Sequence, residues 1–122
     1  MTQGKRKYWG MVTALPGPML AMQCKLQEDA GLEGLFAPQV YGPPFVPLSA
    51  AAAVTQRVKL ASGIALAFVR SPFETAMAAM DIDRISGGRF VLGLGSSVQA
   101  WSEGFFGMPY GKPLPHMREV VE

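Results

Sequence analysis

Hydrophobic positions along the chain fall into two kinds of block. Short continuous apolar runs bounded by turn residues predict strands covered on both faces, and apolar residues recurring every three or four positions predict amphipathic helices. Tyr8 to Thr13 opens the series as a strand. Leu15-Pro16-Gly17-Pro18 turns the chain, with Pro18 suited to a first helical turn. Met19, Met22, Leu26 and Ala30 then recur at helical spacing, and Gly31 stops the helix. The spacing predicts that this methionine stripe packs into the core. Gly34 to Ala37 reads as a second strand, and Pro38 to Phe45 as a loop constrained by its prolines. Pro47 to Thr55 is an alanine-rich helix, and Val58 to Ala65 a third strand. Gly63 near its end marks a bulge or a close backbone approach.

Leu66 to Arg70 forms the next loop, and Ser71-Pro72-Phe73-Glu74 has the form of a capping box with proline at the first helical position. Phe73, Ala76, Met77, Met80, Arg84 and Ile85 share a face, so this helix runs to about Ser86. Gly87 and Gly88 can close it in the left-handed conformation. Phe90 to Leu94 is a fourth buried strand, and Gly95-Ser96-Ser97 leaves it at the carboxyl end, where βα folds keep their ligand sites. Ser96 to Pro115 is a long segment rich in glycine, proline and aromatics, the kind of loop that serves function or lacks order. Met117 to Glu122 begins another helix. The alternation of strand and helix predicts an α/β fold with parallel strands.

Composition narrows the class. The 122 residues suffice for one domain or part of one, and 49% hydrophobic against 16% charged residues is globular and on the apolar side. A net charge of +2 gives no footprint for nucleic acid or an acidic membrane. Lys5-Arg6-Lys7 reads as a solvated leader, and no run reaches membrane-span length, so a soluble cytoplasmic protein is expected. Cys24, the single cysteine, excludes an internal disulfide and reads as a small buried hydrophobe. No zinc spacing is present and no metal site is expected. Glu103 and the lone His116 carry no assigned chemistry. Gly93-x-Gly95 lacks the third glycine and acidic partner of a dinucleotide fingerprint.

Asp83-Arg84-Ile85-Ser86-Gly87-Gly88-Arg89-Phe90-Val91-Leu92-Gly93-Leu94-Gly95 resembles the L-D-x-L-S-x-G-R-F-x-L-G-L-G signature of the luciferase-like monooxygenase family. That family includes bacterial luciferase, flavin-dependent monooxygenases and deazaflavin (coenzyme F-420) dependent oxidoreductases. Thr55 to Ala65, followed by Arg70-Ser71-Pro72, is similar to the family's T-x-R-I-x-L-G-T-G-V block and its R-x-P. Ala65 to Pro72 and Arg118-Glu119 look closest to the deazaflavin-dependent branch. The similarity runs from Tyr8 to Glu122.

The resemblance implies a partial TIM (β/α)8 barrel of about four βα units, with residues 1–122 as its N-terminal half, since a whole barrel takes about 250 residues. It implies an oxidoreductase that uses deazaflavin (coenzyme F-420) for hydride transfer or FMN for monooxygenation of a small organic substrate. Cofactor-lining residues would be Thr13, Gln39, Gly63, Ile64, Ser96 and Ser97, at the carboxyl ends of the strands. Gly63-Ile64 stands at the family's bulge, often a non-prolyl cis peptide that supports the ring. Ser96 and Ser97 offer hydroxyl and backbone N–H groups to the cofactor's tail or phosphate. Pro38, Gln39 and Tyr41 stand where much of the family carries acidic or histidine side chains, so no catalytic residue is assigned. Tyr41 reads as a packed loop tyrosine, with substrate contact as the alternative. Asp83 and Arg89 would order the helix–strand connection.

Four parallel strands also leave edges and one face uncovered. A homodimer or a missing C-terminal half-barrel is therefore expected as partner, with Val58, Leu60, Ile64, Val91, Leu92 and Leu94 the side chains at risk. The alternative is a catalytically inactive truncated chain, or a half-barrel subunit that needs a partner chain.

Overall fold

Four strands pair in parallel in the order β1 (Trp9–Met11), β2 (Gly34–Ala37), β3 (Lys59–Ser62), β5 (Phe90–Val91). The structure is a computed structural model that describes residue 4 and residues 6–122, so Lys5 of the basic leader lies outside the described residues. Helix α1 (Gly17–Asp29) follows β1, α2 (Phe45–Val54) follows β2, and α3 (Pro72–Ser86) joins the third strand to the fourth. Strands β4 (Ala65–Leu66) and β6 (Leu94–Gly95) form a second parallel pair that extends β3 and β5. Short helices α4 (Gln99–Gly104) and α5 (Pro113–Val121) complete the chain.

The register explains which apolar residues are covered. Leu35 pairs with Gly10 and Leu60, and Leu60 with Phe90, so these side chains share one face of the sheet. That face is the core: Leu35 and Leu60 are wholly buried with Cys24, Leu48, Ala51 and Ile82 of the three flanking helices. One residue on, Met11, Phe36, Ala61 and Val91 form the opposite row. Met11 and Val91 there are about half exposed, at 52% and 49%. The sheet is thus covered on one face only. Of the side chains expected to be at risk, Ile64, Val91 and Leu92 are exposed, but Val58 and Leu60 are fully buried and Leu94 packs half-buried on the core. The parity of the pleat decides this, because Leu60 points toward the helices.

Helix α1 is turned differently from its predicted face. Leu20 and Cys24 are buried, whereas Met19, Met22 and Leu26 are exposed. Glu28 continues the inward row by one turn, and its carboxylate accepts the backbone N–H groups of Gln56, Arg57 and Val58 at 2.7–3.1 Å. That rotation joins α1 to the start of β3. Partial burial works to raise the Glu28 pKa, but the N–H donors of Val58, Arg57 and Gln56, with the Arg57 charge, bring it below the usual carboxylate range. Burial, and then the Glu28 charge, push the Cys24 thiol up.

Helix α3 keeps its predicted bounds. The Ser71 hydroxyl accepts the Glu74 N–H at 3.1 Å, and Gly87 closes the helix at φ 69°. Thr75, Ile82 and Ser86 face inward, while Phe73, Met77, Met80 and Ile85 face out. Helix α2 begins at Phe45 rather than Pro47. The segment Ser96 to Pro115 is not all loop, since it holds α4, and the last helix starts at Pro113, a residue preorganised for a first turn.

The third and fourth predicted strands are each broken in two. The Gly63–Ile64 peptide bond is cis, which separates β3 from β4. Opposite it, the Ser62 hydroxyl donates to the Gly93 carbonyl and accepts the Gly93 N–H, both at 2.8 Å. A side chain at position 93 would overlap the Ser62 carbonyl, so only glycine fits there. Behind these strands Arg89 orders the helix–strand connection, as its motif implied. Its guanidinium donates to Ser86 O, Thr55 Oγ1, Val58 O, Ala52 O and Thr55 O. Asp83 accepts the Phe90 N–H at 3.3 Å.

Candidate functional site

Parallel strands bring their carboxyl ends to one edge of the sheet, and the six candidate residues lie along that edge. Gln39, Gly63 and Ile64 are joined directly. The Gly63 N–H donates to Ala37 O at 2.9 Å, and the Gln39 N–H donates to Ile64 O at 3.2 Å. Gln39 is buried, and its Oε1 accepts from the Leu66 N–H and from Arg70 Nη2, both at 2.9 Å. It therefore clamps the end of β2 to the turn after β3. Ile64 is 38% exposed, and its side chain occupies the space that a Cβ at Gly95 would fill. Gly95 thus sets an apolar platform beside Ser96.

Ser96 and Ser97 are half-buried. The Ser96 hydroxyl lies 3.4 Å from the Ser97 carbonyl, which also accepts the Tyr110 hydroxyl at 2.9 Å. Ser97 takes a left-handed φ of 57°, uncommon outside glycine and a sign of a sharply turned strand exit. Thr13 stands apart, in a cavity of about 390 Å3 lined also by Val12, Pro38, Val40, Tyr41 and Val46. None of the other five candidate residues lines this cavity.

Several functional-looking contacts had no sequence signal strong enough to place them. Arg70, quoted above only as part of a motif, is half-buried, donates to Leu66 O at 3.2 Å and to Gln39, and lies 5.1 Å over the Phe45 ring. Burial pulls its pKa down while Glu74 opposes the shift. Tyr41 is a packed loop tyrosine although 62% exposed, stacked on Trp101 at 5.3 Å and edge-on to Phe105. Trp101 Nε1 donates to Val40 O at 2.8 Å. These contacts clasp α4 onto the loop after β2.

Glu103 and His116 do not pair. Glu103 accepts from Gln99 and from the Tyr110 N–H, while His116 stacks on Phe68 at 3.7 Å with Nδ1 2.8 Å from Tyr110 O. A carbonyl only accepts, so Nδ1 carries the proton and Nε2 is left for other work. Among the described residues no group of His, Cys, Asp or Glu side chains could hold a metal ion, and no helix is long and apolar enough to cross a membrane.

Comparisons with known proteins agree with this architecture. The family model described as Luciferase-like monooxygenase matches residues 16–122. A Mycobacterium tuberculosis protein named as a coenzyme F-420 dependent oxidoreductase is 37% identical over 116 residues, 94% of this chain and 33% of its own length. The solved coenzyme F-420 dependent tetrahydromethanopterin reductase of Methanopyrus kandleri superposes with a TM-score of 0.79 at 25% identity, over 97% of this chain and 39% of that one. The oxygenating constituent of 3,6-diketocamphane monooxygenase from Pseudomonas putida, solved with FMN, gives a TM-score of 0.75 at 17% identity, over 86% of this chain and 32% of that one. That last likeness concerns the fold alone. The chain spans about a third or less of the length of the curated relatives it matches.

Proposed function

The chain belongs to the luciferase-like monooxygenase family, and from that membership we propose that its carboxyl-end patch supports the ring of a deazaflavin (coenzyme F-420) or FMN in an oxidoreductase acting on a small organic substrate. The observation that carries the reading is the apolar platform of Ile64 over Gly95, bordered by Gln39, Gly63 and Ser96. A flat tricyclic ring needs an apolar support with polar groups at its rim, and these residues supply both. Thr13 would line the cofactor from the end of β1, and Ser96 and Ser97 would offer polar groups to the cofactor's tail or phosphate. The cofactor would supply the redox chemistry, as hydride transfer with F-420 or oxygen activation with FMN. Similarity to an F-420 dependent oxidoreductase at 37% identity favours the deazaflavin. We place the protein in the cytoplasm, and residues 1–122 as the N-terminal half of the barrel.

A second reading is favoured by the row Met11, Phe36, Ala61 and Val91, exposed at its two ends and half-buried between them. In a closed barrel such inward residues fill the interior. The chain would then act as a half-barrel that pairs with a C-terminal half-barrel or a second copy, and be inactive alone. Titration of FMN and F-420 against the chain, followed by cofactor fluorescence, tests the first reading. Saturable binding weaker than about 1 μM is expected from half of a ring-lining wall. Absence of saturation with either cofactor would overturn it.

A further inference from the structure

We propose that a second cavity, between the loop after β4 and α5, holds the anionic group of the substrate, and that Arg70 is the residue that binds it. The cavity is about 370 Å3, within the range of small-molecule sites. Ala67, Phe68, Pro72 and Met108 give it apolar walls, and Arg70, Ser71, His116 and Glu119 bring polar groups to it.

Arg70 is half-buried, yet its observed partners are all neutral: the oxygens of Leu66 and Gln39 and the face of the Phe45 ring. Those two bonds use two of its five N–H donors, and among the described residues it has no carboxylate in salt-bridge contact. A desolvated guanidinium held by neutral dipoles favours a bidentate carboxylate or phosphate. The tautomer that donates Nδ1–H to Tyr110 O leaves Nε2 of the neutral ring an acceptor, so His116 lines the cavity as a reporter of occupancy and the donors to the anion are those of Arg70. Glu119 lies at the exposed rim of the same cavity, and Glu74 is in the first turn of α3. Both charges are solvated and weaken the site's pull on an anion without abolishing it.

Arg70 is one side chain from the proposed ring platform, since Gln39 bonds both Arg70 Nη2 and Ile64 O. Gln39 thus lies between the anion site and that patch, and the apolar body of a molecule seated on Arg70 would rest on the apolar walls of its own cavity. The substrate class is a small organic carboxylate or phosphate ester. Its place beside a redox cofactor rests on the function proposed above, whereas the anion site itself does not.

The test uses the isotopically labelled chain without cofactor, so failure of flavin binding does not confound it. Benzoate, phenyl phosphate and neutral benzamide are titrated while the Arg70 Nε–H and His116 ring signals are followed by NMR. Saturable shifts at Arg70 and His116 are expected with benzoate or phenyl phosphate, at affinity about tenfold above benzamide. The arm that binds tighter distinguishes carboxylate from phosphate. Arg70→Gln should erase the preference over benzamide, and Glu119→Gln, at an exposed position that leaves the fold intact, should tighten the anions about twofold or more. Equal binding of benzoate, phenyl phosphate and benzamide, shifts confined to other residues, or anion affinity unmoved by Glu119→Gln would each overturn the proposal.

Discussion

Replacing Arg89 by alanine tests how the site is held in place. Its guanidinium makes five hydrogen bonds, to Ser86 O, Thr55 Oγ1, Val58 O, Ala52 O and Thr55 O, at 2.6–3.1 Å. These join the end of α3, the end of α2 and the start of β3. Charged hydrogen bonds contribute about 1.5–3 kcal/mol each, and simple addition would equal the whole stability of a typical domain. The bonds share one group and so do not add. Arg89 is also only half-buried, so water reaches part of the vacated space. A loss of about 3–5 kcal/mol follows, the range for breaking a buried polar network. Arg89→Lys keeps the favourable charge at the C-terminus of α2 but loses the fork, and should recover less than half. Urea unfolding followed by circular dichroism reads this directly. With a slope near 2 kcal/mol per molar, the Arg89→Ala midpoint should fall by roughly 2 M. A shift worth less than about 1 kcal/mol, or full rescue by lysine, would refute the reasoning.

Other outcomes follow from the same contacts. The folded pKa of Glu28 is depressed, so its contribution is present above the unfolded carboxylate pKa and lost as pH falls through the folded value. The stability gap between wild type and Glu28→Gln should therefore be widest at neutral pH and close in acid, and a gap constant with pH would contradict it. Ser62→Ala leaves the Gly93 N–H without its hydroxyl and should lower stability by about 1–3 kcal/mol in a thermal melt. No change in the melt would argue that water replaces that hydroxyl at no cost. The exposed Met11 and Val91 should drive self-association, because each is about half exposed and gains roughly 0.7–1.5 kcal/mol when covered. Val91→Lys should shift sedimentation toward monomer, and a wild-type chain already monodisperse as monomer would count against this.

Much of the fold was legible because local signals agree with it. Ser71, Pro72, Glu74 and Gly87 bound α3 by capping chemistry that needs no tertiary context. The helix faces were not legible. Leu20, Cys24 and Glu28 turn inward because Glu28 finds three backbone donors some thirty positions away, and no periodicity in α1 reports that. Similarly, the burial of Leu60 against the exposure of Val91 is a matter of pleat parity, invisible in two equally apolar runs. At the site, the glycines and serines at the strand ends could be named from their motifs. Gln39 was named as a lining residue, and its role as a clamp on Arg70 and Leu66 depends on a loop geometry that the sequence leaves open. The Ser62 insertion and the aromatic clasp of Tyr41 and Trp101 are likewise long-range.

The central claim is that a flavin-type ring rests on the Ile64 platform. Amide NMR of the labelled chain titrated with F-420, and separately with FMN, tests it most directly. The account predicts saturable shifts concentrated at Thr13, Gln39, Gly63, Ile64, Ser96 and Ser97, larger with F-420. Shifts centred on the amino-terminal ends of the strands, or scattered over the exposed faces of α1 and α3, would contradict it.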